Sequence, residues 1–498
     1  MAAVNDERCN LDSIFATLDA DRRISALVPA TPLTDLGRSP LGEESRPQQD
    51  DERWDEQRDP NQMSLAPGRP RLQPDLLTLP TTAVRGGAPA NPRVTWGLLD
   101  TATALPHDRH LGIIGARPIS NLLAREEATV TEAAAGAFRA RGAIAREVGK
   151  PATIEEFTID PPGPGEALVR LLTSGVCHTD LSAKNGVFGS DFFPILLGHE
   201  GAGVVERVGA GVANVAPGDH VILAWRAPCG VCRFCRIGQL QYCAASLNAE
   251  RRMRTSDGQL LTAVLGIGTF CTHTLVHAKQ CIPYPAELPP EPMCLIGCGV
   301  MTGVGAAIYT AAVRPGSSVA VFGCGGVGDS VIMGARLAGA TTVIAVDVDP
   351  RKLAWAKEFG ATETVDARDG DPVAKIKELT GGFGVNYSFE AVGRPETTLQ
   401  AMFCRDLAGT CVIIGVAGPQ SQIDALPLGK FFDLGGQVKP SWYGDCLPTR
   451  DFPLLTAWYQ QGRLDIDRVV TRVISLEEAE EGFHAMERGE TLRSVIRL

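Results

Sequence analysis

Lysine is nearly missing from the first third of this chain. Of 47 lysines and arginines in 498 residues only nine are lysines, and none precedes Lys150. That asymmetry marks the first third as different in kind from the rest. Also missing is any run of about 18 apolar residues free of charges and of Gly or Pro breaks, so no membrane span is expected. The opening stretch, MAAVNDERCN, has no basic segment followed by an apolar one, so no secretory signal is expected. Positive charge is in deficit overall. A net charge of −11 and a pI near 5.4 argue against nucleic acid or an anionic membrane as the main partner.

What is present can bury a core. The chain is 44% hydrophobic and 21% charged, which excludes a wholly disordered protein, and its length suggests about two to four domains. Fourteen cysteines are too sparse for a small disulfide scaffold. With no export signal expected, a reducing cytoplasm is the default location. Clustered thiols in such a compartment more often bind metal than pair as disulfides.

Residues 1–135 are rich in Pro, Arg, Asp and Gln and carry no sustained periodicity. They read as a low-order, disordered N-terminal extension, with one helix expected near Ala124–Arg141. From about Arg139 the texture changes. Ala143–Arg146, Ile154–Ile159 and Ala167–Leu172 read as short strands, separated by turns such as Pro161-Pro162-Gly163-Pro164-Gly165. Gly203–Val208 and His220–Leu223 continue this β pattern. After residue 303 the order becomes strand–helix–strand: Ser318–Phe322, Gly326–Ala338, Thr342–Val346, then strands over Asn386–Glu390 and Thr410–Val416. Such alternation indicates a parallel α/β sheet.

Three constellations carry chemistry. The strongest is Cys229-Gly-Val-Cys232-Arg-Phe-Cys235, with Cys243 following after seven residues. Four thiolates so close can close a tetrahedral zinc site at about 2.3 Å per bond. A ferredoxin-type iron–sulfur run has a shorter last gap and a Pro after its fourth Cys, whereas Ala244 follows here. Four protein ligands leave no open position, so this site is structural. The second set is dispersed: Cys177, His199 and Cys298. Two thiolates and one imidazole leave a fourth place for water or an alcohol, as in an open catalytic zinc site. Taken singly, each also reads as a packed core residue, and spacing alone does not bring them together. The third is Gly323-Cys-Gly325-Gly326-Val327-Gly328, between two apolar strands. Gly323 permits a tight turn, Gly325 lets backbone approach a pyrophosphate, and Gly328 lets helix and strand pack closely. Asp347 ends the second strand, where an acidic residue accepts from the ribose 2′-OH and repels a 2′-phosphate. NAD is therefore expected over NADP.

In this order the three pieces resemble a zinc-containing medium-chain alcohol dehydrogenase. The resemblance runs from about Arg139 to Leu498. It rests also on Gly175-Val-Cys-His-Thr-Asp180, Leu197-Gly-His-Glu-Gly-Ala-Gly203, Cys294-Leu-Ile-Gly-Cys-Gly-Val and Ser388-Phe-Glu-Ala-Val-Gly-Arg394. It implies an α/β plus β architecture, with a GroES-like catalytic domain (136–300 and 441–498) interrupted by a Rossmann NAD-binding domain (301–440). It implies two zinc ions per chain, the catalytic one on Cys177, His199 and Cys298. By position, Thr179 is the hydroxyl that takes the substrate proton, Asp180 orients His199, and Glu200 lies behind the metal. His178 and Arg493 match pyrophosphate contacts, Lys352 an adenosine-ribose contact, Trp225 a pocket wall and Val416 a residue against the nicotinamide. The bland readings are a helix N-cap for Thr179 and surface charges for His178, Lys352 and Arg493. Where the family often has a relay His, this chain has Ser182.

The resemblance implies an NAD-dependent alcohol dehydrogenase that works on a small molecule as a homo-oligomer, without nucleic acid or membrane. Trp225-Arg-Ala-Pro-Cys-Gly, Leu265-Gly-Ile-Gly-Thr-Phe, Gly393-Arg-Pro-Glu, Arg405-Asp-Leu-Ala-Gly-Thr and Ser441–Pro453 resemble the branch that oxidises S-(hydroxymethyl)mycothiol in formaldehyde detoxification. The loop Ser182–Asp191 departs from that branch. Dehydrogenation of ordinary primary alcohols is the alternative. A non-catalytic NADH-binding sensor, the reading from another class, predicts a lost ligand at 177, 199 or 298, and all three are present. Deleting residues 1–135 is expected to leave zinc content and turnover intact. A large loss of either in the truncated protein would make the extension part of the enzyme.

Overall fold

The computed structural model describes residues 136–498, which fall in one compact unit. The low-order stretch expected over 1–135 lies outside them, as does the start of the helix expected over Ala124–Arg141. The end of that helix is not formed, because Phe138–Ala145 is a strand. Its sequence, FRARGAIA, suits a helix by composition. Pairing with Thr153–Ile159, from Phe138↔Ile159 to Ile144↔Thr153, overrides that local preference.

The apolar runs SVAVF (Ser318–Phe322) and TVIAVD (Thr342–Asp347) are buried almost end to end, as strands covered on both faces must be. They lie at the centre of a six-stranded, wholly parallel sheet. Its order is Glu363–Asp366, Thr342–Asp347, Ser318–Phe322, Val385–Glu390, Arg405–Ile413, Gln437–Pro440. In chain order this is 3-2-1-4-5-6, and the order reverses beside Ser318–Phe322. Dinucleotides bind in the crevice beyond the carboxyl ends at such a reversal. Asp349 and Asp371 start the helices Pro350–Phe359 and Pro372–Leu379, each accepting a backbone N–H two residues on, at 2.9 Å. The strand expected over Thr410–Val416 begins earlier and stops at Ile413. There Ile414 and Gly415 turn aside to donate to the Glu390 carbonyl, at 2.8 and 3.0 Å.

A second, seven-stranded sheet is built mostly from residues 166–283. Its central strand, Glu166–Gly175, pairs antiparallel with Glu200–Val208 on one side and with the last strand, Arg493–Arg497, on the other. This register sets Gly175 opposite both Glu200 and Val495. The chain thus leaves this region, builds the parallel sheet and returns. A third sheet of five strands contains Phe138–Ala145 and Thr153–Ile159.

Pro290–Thr310 forms one helical run with two wide π turns, Ile296–Val300 and Ala306–Thr310. By length and composition alone this run is apolar enough to cross a membrane, and 78% of its most apolar 18-residue window is buried inside the fold. The expectation that glycines would interrupt every such run is therefore corrected. Gly303 and Gly305 stay helical because neighbours press on them: a Cβ on Gly303 would collide with the Ser330 side chain, and one on Gly305 with Cys446.

Asp329, in the first turn of the helix Gly326–Leu337, is fully buried, and neither carboxyl oxygen has a hydrogen-bond partner. Burial, with the Asp347 carboxylate beside it, pushes its pKa well above the usual carboxylate range, and Lys352 offsets this only in part. Folding therefore favours the protonated acid. No cost arises below about pH 4, where the unfolded chain is protonated too, and the cost grows as pH rises toward the folded pKa. Asp329→Asn, neutral at every pH, is expected to melt above the parent by a margin that widens from about pH 5 to about pH 8. A difference in melting temperature that does not change with pH would refute this account.

Candidate active site

The strand Glu166–Gly175 ends where the helix His178–Lys184 begins, and Cys177 sits at the junction as that helix's N-cap. Thr179, the expected alternative cap, is instead the second helical residue, and no side chain caps this helix. Its Oγ1 lies 3.8 Å from the Cys177 Sγ. One turn of helix then aims Asp180 inward. Its carboxylate is fully buried and accepts from the Gly198 N–H at 2.8 Å and from the His199 Nδ1 at 2.9 Å. The imidazole is thereby turned so that Nε2 faces the thiols, 3.3 Å from the Cys298 Sγ. A carboxylate behind a ligand histidine fixes its tautomer and orientation in this way.

Cys298 arrives from a different element, the π turn Ile296–Val300. Such turns re-aim single side chains and recur at functional sites. Gly297 and Gly299 flank it for steric reasons. A Cβ on Gly297 would lie 2.8 Å from the Leu223 carbonyl, and one on Gly299 would lie 2.7 Å from the Arg493 guanidinium. Cys177, His199, Glu200 and Cys298 thus bring one ligand atom each to within 4.8 Å of all the others. A tetrahedral ion with bonds of about 2.0 to 2.3 Å needs ligand atoms about 3.3 to 3.8 Å apart, so this donor set fits zinc. Burial pushes the Glu200 carboxyl up to about 7 against the opposing charge of Arg493, 3.6 Å away, and neither Glu200 oxygen has a hydrogen-bond partner. Hydrogen bonding from Cys298, helped by the charge of Arg493, holds Cys177 well below the usual thiol range. A thiolate is the form that binds metal.

The four-cysteine lobe closes as its spacing predicts. Cys229, Cys232, Cys235 and Cys243 form the second compact donor group, with Sγ atoms of Cys232 and Cys235 3.6 Å apart and those of Cys232 and Cys243 4.0 Å apart. All thirteen cysteines among the described residues are free thiols.

The glycine turn lies close to the same cluster, bridged to it by Arg493. Gly323 has φ +89, a conformation that disfavours side chains, and a Cβ on Gly328 would collide with the Gly323 carbonyl. A Cβ on Gly325 would meet nothing within 4 Å, which leaves open space at the helix N-terminus, where anions are favoured. Val327 follows in the first helical turn. Asp347 accepts one backbone N–H on each oxygen, from Cys324 at 2.8 Å and Asp349 at 2.9 Å. Arg493, 6% exposed, has its guanidinium against Gly326 and 3.9 Å from the Cys177 Sγ, so it touches both the helix start and the metal cluster. His178 is exposed at the start of its helix, and Lys352 is half-buried in Pro350–Phe359. Val416 is 84% exposed, and its backbone packs on Gly393. Trp225 stands edge-on to Tyr443. Two notable residues had no signal in the sequence. Arg226 lies inside the Trp225-Arg-Ala-Pro-Cys-Gly stretch without a charged partner nearby in sequence, and Asp329 has the pattern of an ordinary helix residue.

Residues 163–286 match the alcohol dehydrogenase GroES-like domain, and residues 326–461 match the zinc-binding dehydrogenase domain. The chain is 39% identical over 371 residues to an S-(hydroxymethyl)glutathione dehydrogenase of Synechocystis sp., covering 72% of this chain and 100% of that protein. It belongs to the zinc-binding medium-chain alcohol dehydrogenase family. Among solved structures it resembles an alcohol dehydrogenase zinc-binding domain protein from Burkholderia ambifaria, with TM-score 0.69 and 36% identity over 73% of this chain and 100% of that one. It also resembles benzyl alcohol dehydrogenase from Acinetobacter calcoaceticus, with TM-score 0.68 and 29% identity over 72% of this chain and 99% of that one. The protein is a zinc- and NAD-dependent oxidoreductase of this family, and the two donor groups fit its two zincs. The sensor reading fails on the same observations. Metal analysis is expected to find one zinc per donor group. Cys177→Ser is expected to remove one of them together with at least about 99% of turnover, whereas full activity in that variant would remove Cys177 from the site.

Proposed function

We propose that this dehydrogenase oxidises the S-hydroxymethyl adduct that formaldehyde forms with a small cellular thiol, with mycothiol as the thiol and NAD as hydride acceptor. The observation that carries the reading is likeness at 39% identity, over 72% of this chain and the whole of a relative named for the glutathione adduct, together with an open cysteine–histidine–cysteine cluster beside a hydroxyl. Mycothiol is favoured by the stretches that resemble its branch. Two of them, around Trp225–Arg226 and Ser441–Pro453, pack together, with Arg226 against Trp442 and Tyr443. The enzyme works in the cytoplasm as a homo-oligomer in this reading.

The residues divide the labour. Cys177, His199 and Cys298 would hold the catalytic zinc, whose Lewis acidity makes an alcohol proton easier to lose. Thr179 Oγ1 receives that proton and passes it outward, past Ser182, to water. Asp180 keeps His199 turned toward the cluster. Arg493 and His178, with the N–H groups at Gly325 and Gly326, would bind the pyrophosphate, while Asp347 and Lys352 would hold the adenosine ribose. Asp347, fixed by two backbone N–H groups, disfavours the 2′-phosphate of NADP. Val416 and Trp225 would line the nicotinamide and alcohol pockets. Burial of the cluster keeps bulk water from the reacting atoms.

A second reading, oxidation of ordinary primary alcohols, is favoured by the loop Ser182–Asp191 and its surroundings. Val187, Phe188 and Phe192 are exposed apolar side chains there, which suit an apolar alcohol better than a polar thiol adduct. The comparison that decides is kcat/KM for formaldehyde with mycothiol, formaldehyde with glutathione, and benzyl or other plain alcohols. The mycothiol adduct is expected to lead by about tenfold or more. Preference for glutathione would change the thiol, and preference for a plain alcohol would overturn the reading.

A further inference from the structure

Arg226 is 5% exposed, yet among the described residues no carboxylate lies within ion-pair distance of it. Its Nη2 donates to the Cys243 carbonyl at 2.6 Å. Three aromatic rings surround the guanidinium: Trp442 at 5.2 Å, and Trp225 and Tyr443 at 5.8 Å each. Ring faces attract a cation and partly replace the water it has lost. The Tyr443 hydroxyl donates to the Gln241 carbonyl. Two carbonyls of the four-cysteine lobe are therefore held by this one cluster.

The same short segment reaches the other metal site. Leu223 backs the π turn of Cys298, since a Cβ on Gly297 would lie 2.8 Å from its carbonyl. Ala224 then donates to Gln280 at 2.8 Å, Ala227 to Ser246 at 2.9 Å, and Cys229 is already a lobe ligand. A closed path returns through the parallel sheet. Trp442 and Tyr443 follow its last strand, and Ser441 bonds Thr310, at the end of the helical run that carries Cys298, at 2.8 Å.

We propose that Arg226 is a positioning residue that couples the four-cysteine metal site to the catalytic one. The caged guanidinium fixes residues 223–229 to the lobe, and through them the backing of the Cys298 turn and the Trp225 ring. The proposal rests on the dehydrogenase reading of the cluster, not on which thiol the substrate contains. It predicts that loosening the lobe loosens the alcohol pocket while NAD binding, on the parallel sheet, stays as it was.

The test uses the zinc-loaded full chain with whichever alcohol gives the parent its highest kcat/KM, so an error in the thiol does not affect it. Arg226→Met and Arg226→Lys are compared with Cys229→Ser. Lysine keeps the charge but loses the planar face and fork, so both Arg226 variants are expected to behave alike. Each should raise KM for the alcohol about tenfold, leave KM for NAD within about twofold, and speed zinc release to a chromophoric chelator about tenfold. In the Cys229→Ser background, Arg226→Lys should add less than about twofold to the alcohol KM. Additive effects in the double variant, parallel changes in both KM values, or unchanged zinc release in Arg226→Lys would each overturn the coupling. If Arg226→Met does not fold, Arg226→Lys alone decides.

Discussion

One buried guanidinium ties this active site together. Arg493 lies 3.6 Å from the Glu200 carboxylate and 3.9 Å from the Cys177 sulfur, with its face against Gly326 at the start of the cofactor helix. Burial alone would lower its pKa, but the surrounding anions, Glu200 first, hold it firmly protonated. A cation so placed offsets the charge of the Cys177 thiolate and of Glu200 when it is ionised. The fold is arranged to deliver it. Arg493 begins the last strand, and that strand reaches the cluster only because the chain returns to pair beside Glu166–Gly175. Removal of side chains at Gly299 and Gly326 makes the space it fills. The split of one sheet by another is thus the covalent cost of bringing a distant arginine to the Cys177–Glu200 cluster.

What the sequence made legible follows the range of each interaction. The four-cysteine lobe and the glycine turn are local, so their spacing already fixes their geometry, and both are found as read. His220–Leu223 and Ser318–Phe322 match to the residue, because their alternation or apolar run is set by immediate neighbours. The catalytic cluster was different in kind. His199 and Cys298 are 99 residues apart and meet through tertiary packing alone, so only the likeness to a family could join them. The failures are also instructive. The segment from Phe138 follows its partner strand rather than its own propensity. Arg226 shows no pattern because its partners come from the cysteine lobe and from residues 442–443.

Helix Pro290–Thr310 shows why composition misleads in such a protein. Its glycines look like breaks, and its apolar content looks like a membrane segment. Both features come from one cause, that the run is surrounded on nearly every side. Leu223, Arg493, Ser330 and Cys446 press on Gly297, Gly299, Gly303 and Gly305 in turn. Cβ atoms are excluded by these neighbours, and the helical backbone is kept by packing rather than propensity. The first π turn sets the Cys298 Sγ 3.3 Å from the His199 Nε2.

The cofactor end poses a charge problem that the fold solves by unequal environments. Asp347 and Asp329 are both carboxyls near the glycine turn proposed to hold the pyrophosphate. Asp347, the proposed ribose contact, accepts one backbone N–H on each oxygen. Asp329 has no donor and no water-exposed surface, so its proton stays. A second anion in the first turn of the helix would oppose the dipole that attracts the phosphates. Burial without partners, usually a defect, here keeps a carboxyl neutral beside an anion-binding turn. In the proposed binding mode the dinucleotide would meet the Asp347 carboxylate at its ribose and an uncharged Asp329 in the first turn of the helix.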